Sequence, residues 1–311
     1  MKRETAGAIL SVLAAALACA GGGVGAEEAA REKILCTTFP IYQIARNVAE
    51  GRQVVEIDLM LPPGTGCPHD YALTPQDMKK IAGAQALIVN GLGLEEFLGE
   101  PVKKANADIA IIDSSEGIDG ILQYTRDEAA DKDEHGTGAN PHLFASPRMA
   151  AKIAMKIAAE LPRVDPDGAA LYKKNAAEYA ARLEKLADEL AAAGKALGNN
   201  RIVTQHGVFD YLARDAGLEI VAVLQAHAGQ EPSAAQMLKI VRTIRERKAG
   251  AIFIEPQYPA KTGETLARET GVPIAALDPA ATGPEEAGLE YYEKTMRANL
   301  WILKKTLGVK K

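Results

Sequence analysis

Three of the chain's five histidines lie in short loops beside proline or glycine, and they are the strongest candidates for chemistry. They are His69 in PHD, His142 in PHL and His206 in QHG. His206 directly follows a predicted strand, and Asp278 directly follows another. Because ligands of open α/β sheets gather beyond the carboxyl ends of the strands, these four side chains can converge. Three imidazoles and one carboxylate form a four-ligand set that suits Zn²⁺.

Taken one at a time, each of these residues has a simpler interpretation. A lone loop histidine is more often a surface polar residue, and Asp-Pro after a strand is a common turn. The joint pattern carries the hypothesis, because most of the scarce histidines fall at strand-end loops in both halves of the chain.

A zinc hydrolase is the competing class of protein for such a set of histidines. It would need an open coordination position for water and a general base, for which Glu231 or Glu255 could serve. The sequence contains no H-E-x-x-H, no G-x-S-x-G and no glycine-rich phosphate loop, and four protein ligands close a site. We therefore predict a binding protein rather than an enzyme, with both glutamates orienting histidines or capping helices.

A long helix, predicted from Asp165 to Leu197, must position these loops. Its apolar residues recur in steps of three and four from Tyr172 onward, which predicts one buried stripe. Asp165 is predicted as the N-cap with Pro166 at the first helical position, and Gly198 ends the helix. At about 1.5 Å per residue the helix is about 45 Å long, close to the diameter of a domain. We predict a rigid helix that joins two lobes.

Strand and helix patterns alternate on both sides of this helix. Strands are predicted at 33–38, 54–61, 86–90 and 109–112 before it, and at 201–205, 218–224, 251–255 and 273–277 after it. Because strands separated by helices form parallel sheets with crossover connections, the predicted fold class is α/β, with a mostly parallel sheet flanked by helices in each lobe. The predicted domains are an N-terminal lobe at 27–164, the linking helix at 165–198 and a C-terminal lobe at 199–311.

Residues 1–26 are predicted to be an export signal rather than part of the fold. Lys2 and Arg3 precede an apolar run, and Val24-Gly25-Ala26 fits the small-residue rule for cleavage. A lipidated N-terminus at Cys19 is the less favoured alternative, because the leucine usual three residues before such a cysteine is displaced by one position. We expect a periplasmic protein with no membrane insertion after the signal is removed.

The charge of the chain argues against nucleic acid as a partner. Its 311 residues carry a formal net charge of −5, only 5% of them are aromatic, and no run of Lys or Arg stands out. We expect a monomer whose partner is a divalent metal ion.

Seven stretches, spread over nearly the whole mature chain, resemble the metal-receptor family of periplasmic solute-binding proteins that serve zinc and manganese ABC importers. They are CTTFPIY (36–42), PPGTGCPHDYALTPQD (62–77), NPHLFASP (140–147), QHGVFDYLARDAGLE (205–219), QEPSAAQ (230–236), IFIEPQY (252–258) and LDP (277–279). The resemblance implies a cleft between two lobes, two ligands from each lobe, and delivery of the ion to a membrane permease. By motif match the metal ligands are His69, His142, His206 and Asp278.

The residue at position 206 favours zinc over manganese as the cargo. Manganese members of the family tend to place Glu where His206 stands, and a third imidazole is a softer donor that suits Zn²⁺ better than Mn²⁺. The segment Tyr71-Ala72-Leu73 is also more similar to zinc-type members. We predict Zn²⁺, with Mn²⁺ as the alternative; a metal-scavenging adhesin or a zinc buffer without a transporter would show the same site.

Three further residues are weaker candidates for metal binding. Cys67 could pair with Cys36 or remain a free thiol, which are equally open, and metal ligation ranks third. His135 lies alone in the acidic segment 125–140, where a solvated loop is favoured over a zinc-collecting antenna. His227 in LQAHAGQEP could be a spare ligand, although a surface role is favoured.

Overall fold

Two four-stranded parallel sheets, one in each half of the chain, carry the fold. The computed structural model describes residues 31–66, 68, 71–124, 138–225 and 231–310. The strands of the first half are β1 (Glu32–Cys36), β2 (Val55–Leu59), β3 (Ala86–Val89) and β4 (Ala110–Asp113). Those of the second half are β5 (Arg201–Thr204), β6 (Glu219–Val223), β7 (Ala251–Ile254) and β8 (Ile274–Ala276). Every strand pairing is parallel, which confirms the predicted α/β class.

Nine helices in the described part of the chain connect and cover these strands. They are α1 (Phe39–Val48), α2 (Pro75–Ala82), α3 (Glu100–Ala105), α4 (Pro147–Glu160), α5 (Ala169–Ala196), α6 (Asp210–Ala216), α7 (Ala234–Arg247), α8 (Lys261–Thr270) and α9 (Tyr291–Leu307). None of the helices in these described ranges has the length and apolar character needed to cross a membrane.

The order of the strands decides where a site can form. The two sheets have the orders β2-β1-β3-β4 and β6-β5-β7-β8. In each sheet the chain leaves the first strand to one side and then returns to the other side, so the order switches between β1 and β3, and between β5 and β7. Ligands of such sheets bind in the crevice beyond the carboxyl ends of the strands at this switch point. The residues after β1, β5 and β7 are therefore the ones best placed to form a site.

The core forms around strands that are buried on both faces. Ile34, Leu35 and Cys36 of β1 are fully buried, and so is most of β3, as expected where helices cover a parallel sheet on both sides. Within the described residues Cys36 is a free thiol, and burial raises its pKa far above the usual value. Cys67, its candidate partner in a disulfide, lies outside the described residues.

The long helix α5 begins later than predicted. Residues Pro166–Gly168 form a 3₁₀ turn, and the α-helix starts at Ala169. Asp165 is the N-cap of this turn and Pro166 is its first residue, as predicted. The Asp165 carboxylate accepts hydrogen bonds from Arg52 at 2.6 and 2.7 Å and from the Tyr172 hydroxyl at 2.5 Å, rather than making the side-chain cap bond. A bidentate hydrogen bond from a guanidinium is stronger than a hydrogen bond from a helix N–H. The Asp165 carboxylate therefore binds Arg52.

The apolar stripe of α5 is confirmed, and it packs against both halves. Its buried residues are Tyr172, Ala176, Tyr179, Leu183, Leu186, Ala187, Leu190, Ala193 and Gly194. These face α1 and α4 from the first half and α6 and α9 from the second. The described chain forms one compact unit around this helix, and the lobe boundaries at 27–164, 165–198 and 199–311 stay a prediction.

Side-chain caps mark the starts of α2 and α4. The Thr74 hydroxyl accepts from the backbone N–H of Asp77, whose carboxylate accepts from Thr74 in return, forming a capping box at α2. The Ser146 hydroxyl caps α4 by accepting from the N–H of Met149, without the reciprocal bond of a capping box. Because α4 begins at Pro147, the last residue of the 140–147 stretch, this cap fixes the direction in which the chain leaves His142.

Candidate functional site

His142 and His206 meet in one cavity, although they belong to different halves of the chain. Their ring centroids are 5.2 Å apart and the ring planes are nearly perpendicular, at 83°. His142 lies just before the turn that leads into α4, and His206 lies two residues beyond the end of β5. They are 2% and 5% exposed, respectively. The structure thus brings together two of the four predicted metal ligands.

The cavity around the two rings is small, with a volume of about 10 Å³, which is close to the room that a single water molecule or ion needs. Both halves contribute to its wall, which includes Thr38, Pro68, Leu94, Phe144, Glu255 and Gln257. Thr38 follows β1 and Glu255 follows β7, so the cavity lies where the order of the strands predicts a ligand site.

Asn140 orients the ring of His142. Its side-chain oxygen accepts from the backbone N–H of His142 and from the ring nitrogen Nδ1, both at 2.9 Å. Its side-chain nitrogen donates to the carbonyl of Gly207 and to the carboxylate of Asp210, both at 2.8 Å. Because this amide nitrogen faces only acceptors, the amide has one possible orientation, and Nδ1 of His142 must carry the proton. Nε2 is therefore the nitrogen with the lone pair.

Asn140 also joins the two halves next to the cavity. Its backbone carbonyl accepts from the Tyr211 hydroxyl at 2.7 Å, and that hydroxyl accepts from the N–H of Leu122 at 3.0 Å. The sequence analysis did not single out Asn140. The only local signal was its place two residues before His142, since its partners in the second half are about 70 residues away.

Glu255 orients the ring of His206, as predicted for this glutamate. Its Oε1 accepts from Nδ1 of His206 at 2.5 Å, and its Oε2 accepts from the side-chain amide of Gln257 at 2.8 Å. The Glu255 side chain is fully buried, and its backbone N–H donates to Gln205 at 2.8 Å. A metal-binding histidine usually donates its other ring N–H to a carboxylate, which fixes the orientation of the ring and makes the metal-binding nitrogen more basic.

The second ring nitrogen of His206 has no partner among the described residues. Nε2 is buried and makes no hydrogen bond there, while Nδ1 is committed to Glu255. Leaving a buried polar atom unpaired costs about 1–3 kcal/mol. A cation bound at Nε2 would remove that cost, so this nitrogen is a candidate metal ligand.

Asp278 lies two residues beyond β8 and is half-buried. Its Oδ1 accepts from the N–H of Ala280 at 2.8 Å, and the side chain of Asn299 holds its backbone N–H and carbonyl at 3.0 and 2.7 Å. Burial raises the pKa of the Asp278 carboxyl, and the nearby negative charge of Glu255 raises it further. Two carboxylates in one region favour a cation between them.

The structure does not describe the remaining candidate ligands. His69, Cys67, His135 and His227 lie outside the described residues. Among the residues that are described, no group of three or more His, Cys, Asp or Glu side chains is arranged to hold a metal ion. Glu231, the other glutamate considered, accepts from the hydroxyl of Thr262 on α8.

Glu95, a second buried carboxylate, supports the segment before His142 through Asn90. Glu95 accepts from the Thr37 hydroxyl at 2.5 Å and from the N–H groups of Asn90 and Gly91 at 2.6 and 3.1 Å. The side chain of Asn90 donates to the carbonyl of Pro141 at 2.9 Å. Burial raises the pKa of the Glu95 carboxyl from 4.5 to about 7, although these donors lower it in part.

Comparison with known proteins places the chain among metal-uptake receptors. A family model described as the periplasmic component A of the zinc-uptake complex matches residues 34–306. The high-affinity zinc uptake protein ZnuA of Bacillus subtilis is 28% identical over 285 residues, which cover 89% of this chain and 88% of that protein.

Other relatives differ in length and in metal. The zinc-binding lipoprotein AdcA of Streptococcus pneumoniae is 30% identical over 287 residues, but the match covers 88% of this chain and only 55% of AdcA. The solved structure of FpvC from Pseudomonas aeruginosa with Mn²⁺ has a TM-score of 0.76 and 29% identity, covering 89% of this chain and 98% of FpvC. FpvC has also been solved with Ni²⁺.

Proposed function

We propose, from the premise that this chain belongs to the family of periplasmic zinc-uptake components, that it captures Zn²⁺ in the cavity between its two halves and delivers it to an ABC importer. The family consists of solute-binding receptors and not of enzymes. The resemblance drawn from the seven sequence stretches is thereby confirmed. The function is accordingly binding and release, with no chemical turnover of the cargo.

The observation that carries the proposal is the buried Nε2 of His206, which has no hydrogen-bond partner in the part of the chain that the structure describes. Glu255 fixes that ring, and Asn140 fixes the ring of His142 so that its lone pair is also on Nε2. Two imidazoles with fixed proton positions are already prepared for a metal ion, which reduces the entropy lost on binding. Nitrogen donors of this kind suit Zn²⁺.

The proposed ligand set is His69, His142, His206 and Asp278. Pro68, the residue before His69, lines the cavity, and Asp278 is close enough to Glu255 for their charges to interact. With neutral histidines, the two carboxylates balance the charge of a divalent ion, so the loaded site carries no net charge to bury. Cys67, His135 and His227 stay outside the set.

The cargo we propose is zinc, with other divalent ions as competitors. Three imidazoles favour Zn²⁺ over the harder Mn²⁺. The complexes of FpvC with Mn²⁺ and Ni²⁺ support a site of this fold that tolerates more than one metal. Manganese is therefore the second candidate for the cargo.

The proposed partner is the membrane permease of an ABC importer, and the proposed location is the periplasm. Both follow from the zinc-uptake family to which the chain belongs. We further propose that the mature protein is a monomer. Release from the membrane after signal cleavage is favoured over a lipid anchor at Cys19, although the relative AdcA is named a lipoprotein.

Calorimetric titration of metal-stripped mature protein with Zn²⁺ tests this function. We expect one ion per chain, and His206→Ala should weaken binding by at least about 100-fold, because a metal-binding nitrogen is removed. His135→Ala is the matched control and should leave the affinity unchanged. A His206→Ala variant with the affinity of the wild type would remove this residue from the site.

A further inference from the structure

Thr38 has a hydroxyl that is not used by the helix it precedes. The residue is the N-cap of α1 with extended backbone, yet its side chain makes no cap hydrogen bond. A threonine at this position normally accepts from a helix N–H. Instead its Oγ1 is buried and has no hydrogen-bond partner among the described residues, and Thr38 lines the cavity of the two histidines.

Gln257 presents a second such oxygen from the other half of the chain. Its side-chain nitrogen donates to Oε2 of Glu255 at 2.8 Å, and this contact fixes which end of the amide is the oxygen. Oε1 of Gln257 is buried and unpartnered within the described chain, and this residue lines the same cavity. Among the described residues, three buried polar atoms of residues that line this cavity therefore lack hydrogen-bond partners: Oγ1 of Thr38, Oε1 of Gln257 and Nε2 of His206.

The two unpartnered oxygens and the nitrogen of His206 need different kinds of partner. Oε1 of Gln257 can only accept a hydrogen bond, and the hydroxyl of Thr38 can accept one as well. A water molecule that donates one hydrogen to each of them keeps its own lone pairs for a cation. Buried polar atoms without protein partners are typically satisfied by ordered water of this kind.

We propose that Thr38 and Gln257 hold one water molecule as an additional ligand of the captured ion, and that this water decides how well the site accepts Mn²⁺. The proposal rests on the proposed function, since it needs an ion at Nε2 of His206. Zn²⁺ is satisfied by four protein ligands in a tetrahedron. Mn²⁺ prefers more ligands, with oxygen donors and water among them. The water therefore contributes to Mn²⁺ affinity much more than to Zn²⁺ affinity.

Thr38→Val tests the proposal, because valine has the shape of threonine without the hydroxyl. We expect the affinity for Mn²⁺ to fall about tenfold, as for the loss of one good hydrogen bond, while that for Zn²⁺ changes less than about threefold. Both affinities are measured by competition with a metal chelator. Thr38→Ser keeps the hydroxyl and should retain the Mn²⁺ affinity.

Thr204→Val is the matched control for this substitution. The hydroxyl of Thr204 in β5 is also buried without a partner in the described structure, but the residue is not part of the cavity wall. Its loss should leave both metal affinities unchanged. A drop in Mn²⁺ affinity in the control equal to that of Thr38→Val would overturn the proposal.

Gln257→Leu gives an independent second variant. It also removes the contact with Glu255, so both affinities fall, and the informative quantity is the ratio of the two dissociation constants. We expect the preference for Zn²⁺ over Mn²⁺ to rise about tenfold. Relaxation of water protons by the bound Mn²⁺ should show one water fewer on the ion in both variants.

The outcomes separate this proposal from the function on which it rests. If the wild type binds neither ion, the proposed function fails. If the wild type binds Zn²⁺ but not Mn²⁺, or if both variants keep its preference and its number of bound waters, the function stands and the water-holding role is overturned.

Discussion

His142 and His206 meet in one cavity, but a neutral amide holds one ring and a buried carboxylate holds the other. Asn140 forms hydrogen bonds with His142 and also with Gly207 and Asp210 of the second half. Glu255 bonds His206 from within the second half and adds a full negative charge. The first support is geometric and links the halves, whereas the second is electrostatic and attracts the ion.

Removing the negative charge of Glu255 should have the largest effect on the affinity for Zn²⁺. Glu255→Gln keeps the shape of the side chain but lowers the basicity of His206 and removes one of the two charges that balance the ion. We expect Zn²⁺ affinity to fall about 100-fold, measured by chelator competition. In the metal-free protein no cation balances the buried negative charge of Glu255, which destabilises the fold, so the apo variant should melt no lower than the wild type.

The reverse substitution, Asn140→Asp, gives the first half the same kind of support as the second. If charge alone determined affinity, Zn²⁺ binding would improve. We expect it to weaken about 30-fold, because a carboxylate cannot donate to the Gly207 carbonyl and repels Asp210. Adding Asp210→Asn should recover part of the loss, and tighter binding by Asn140→Asp alone would contradict the geometric role.

A smaller effect extends the comparison to Glu95, which supports the His142 segment through Asn90. Its pKa is raised to about 7 by burial, so its contribution to stability is complete below its ordinary pKa of 4.5 and is lost as pH rises through 7. Relative to Glu95→Gln, the free energy of unfolding of metal-free wild type should fall by about 2 kcal/mol between pH 5 and 8.

Chemical denaturation at each pH measures this difference. The exposed neighbour Glu96 provides the control, since Glu96→Gln removes a carboxylate that the fold does not bury. Its free energy of unfolding should follow that of the wild type across the range. A constant difference between wild type and Glu95→Gln at all pH values would show that Glu95 does not titrate there.

The sequence was sufficient for the strands because their ends are marked locally and most are short apolar runs, although β2 and β6 are only partly buried. It also predicted the stripe of α5 and the role of Glu255, which follows a strand directly. The short helix α3 was missed, because six residues do not complete two helical turns. The sequence did not predict that Arg52 binds the Asp165 carboxylate, because the two residues are 113 positions apart and no local pattern indicates the contact.

The supports of the site depend on similar long-range pairings. Asn140 finds its partners near residue 207, and nothing in its own segment indicates that choice. From the sequence, Thr38 is an ordinary helix N-cap, and only the structure shows that it lines the cavity. Residue types in the loops therefore predicted that His142 and His206 come together, whereas the orientation of their rings could be read only from the fold.

A crystal structure of the zinc-loaded mature protein, with anomalous scattering at the zinc edge, tests the central claim most directly. We predict one zinc ion about 2.0–2.1 Å from Nε2 of both His142 and His206, with Nδ1 of each ring still bonded to Asn140 and Glu255. Zinc bound through Nδ1 of either ring, or away from this cavity, would contradict the account.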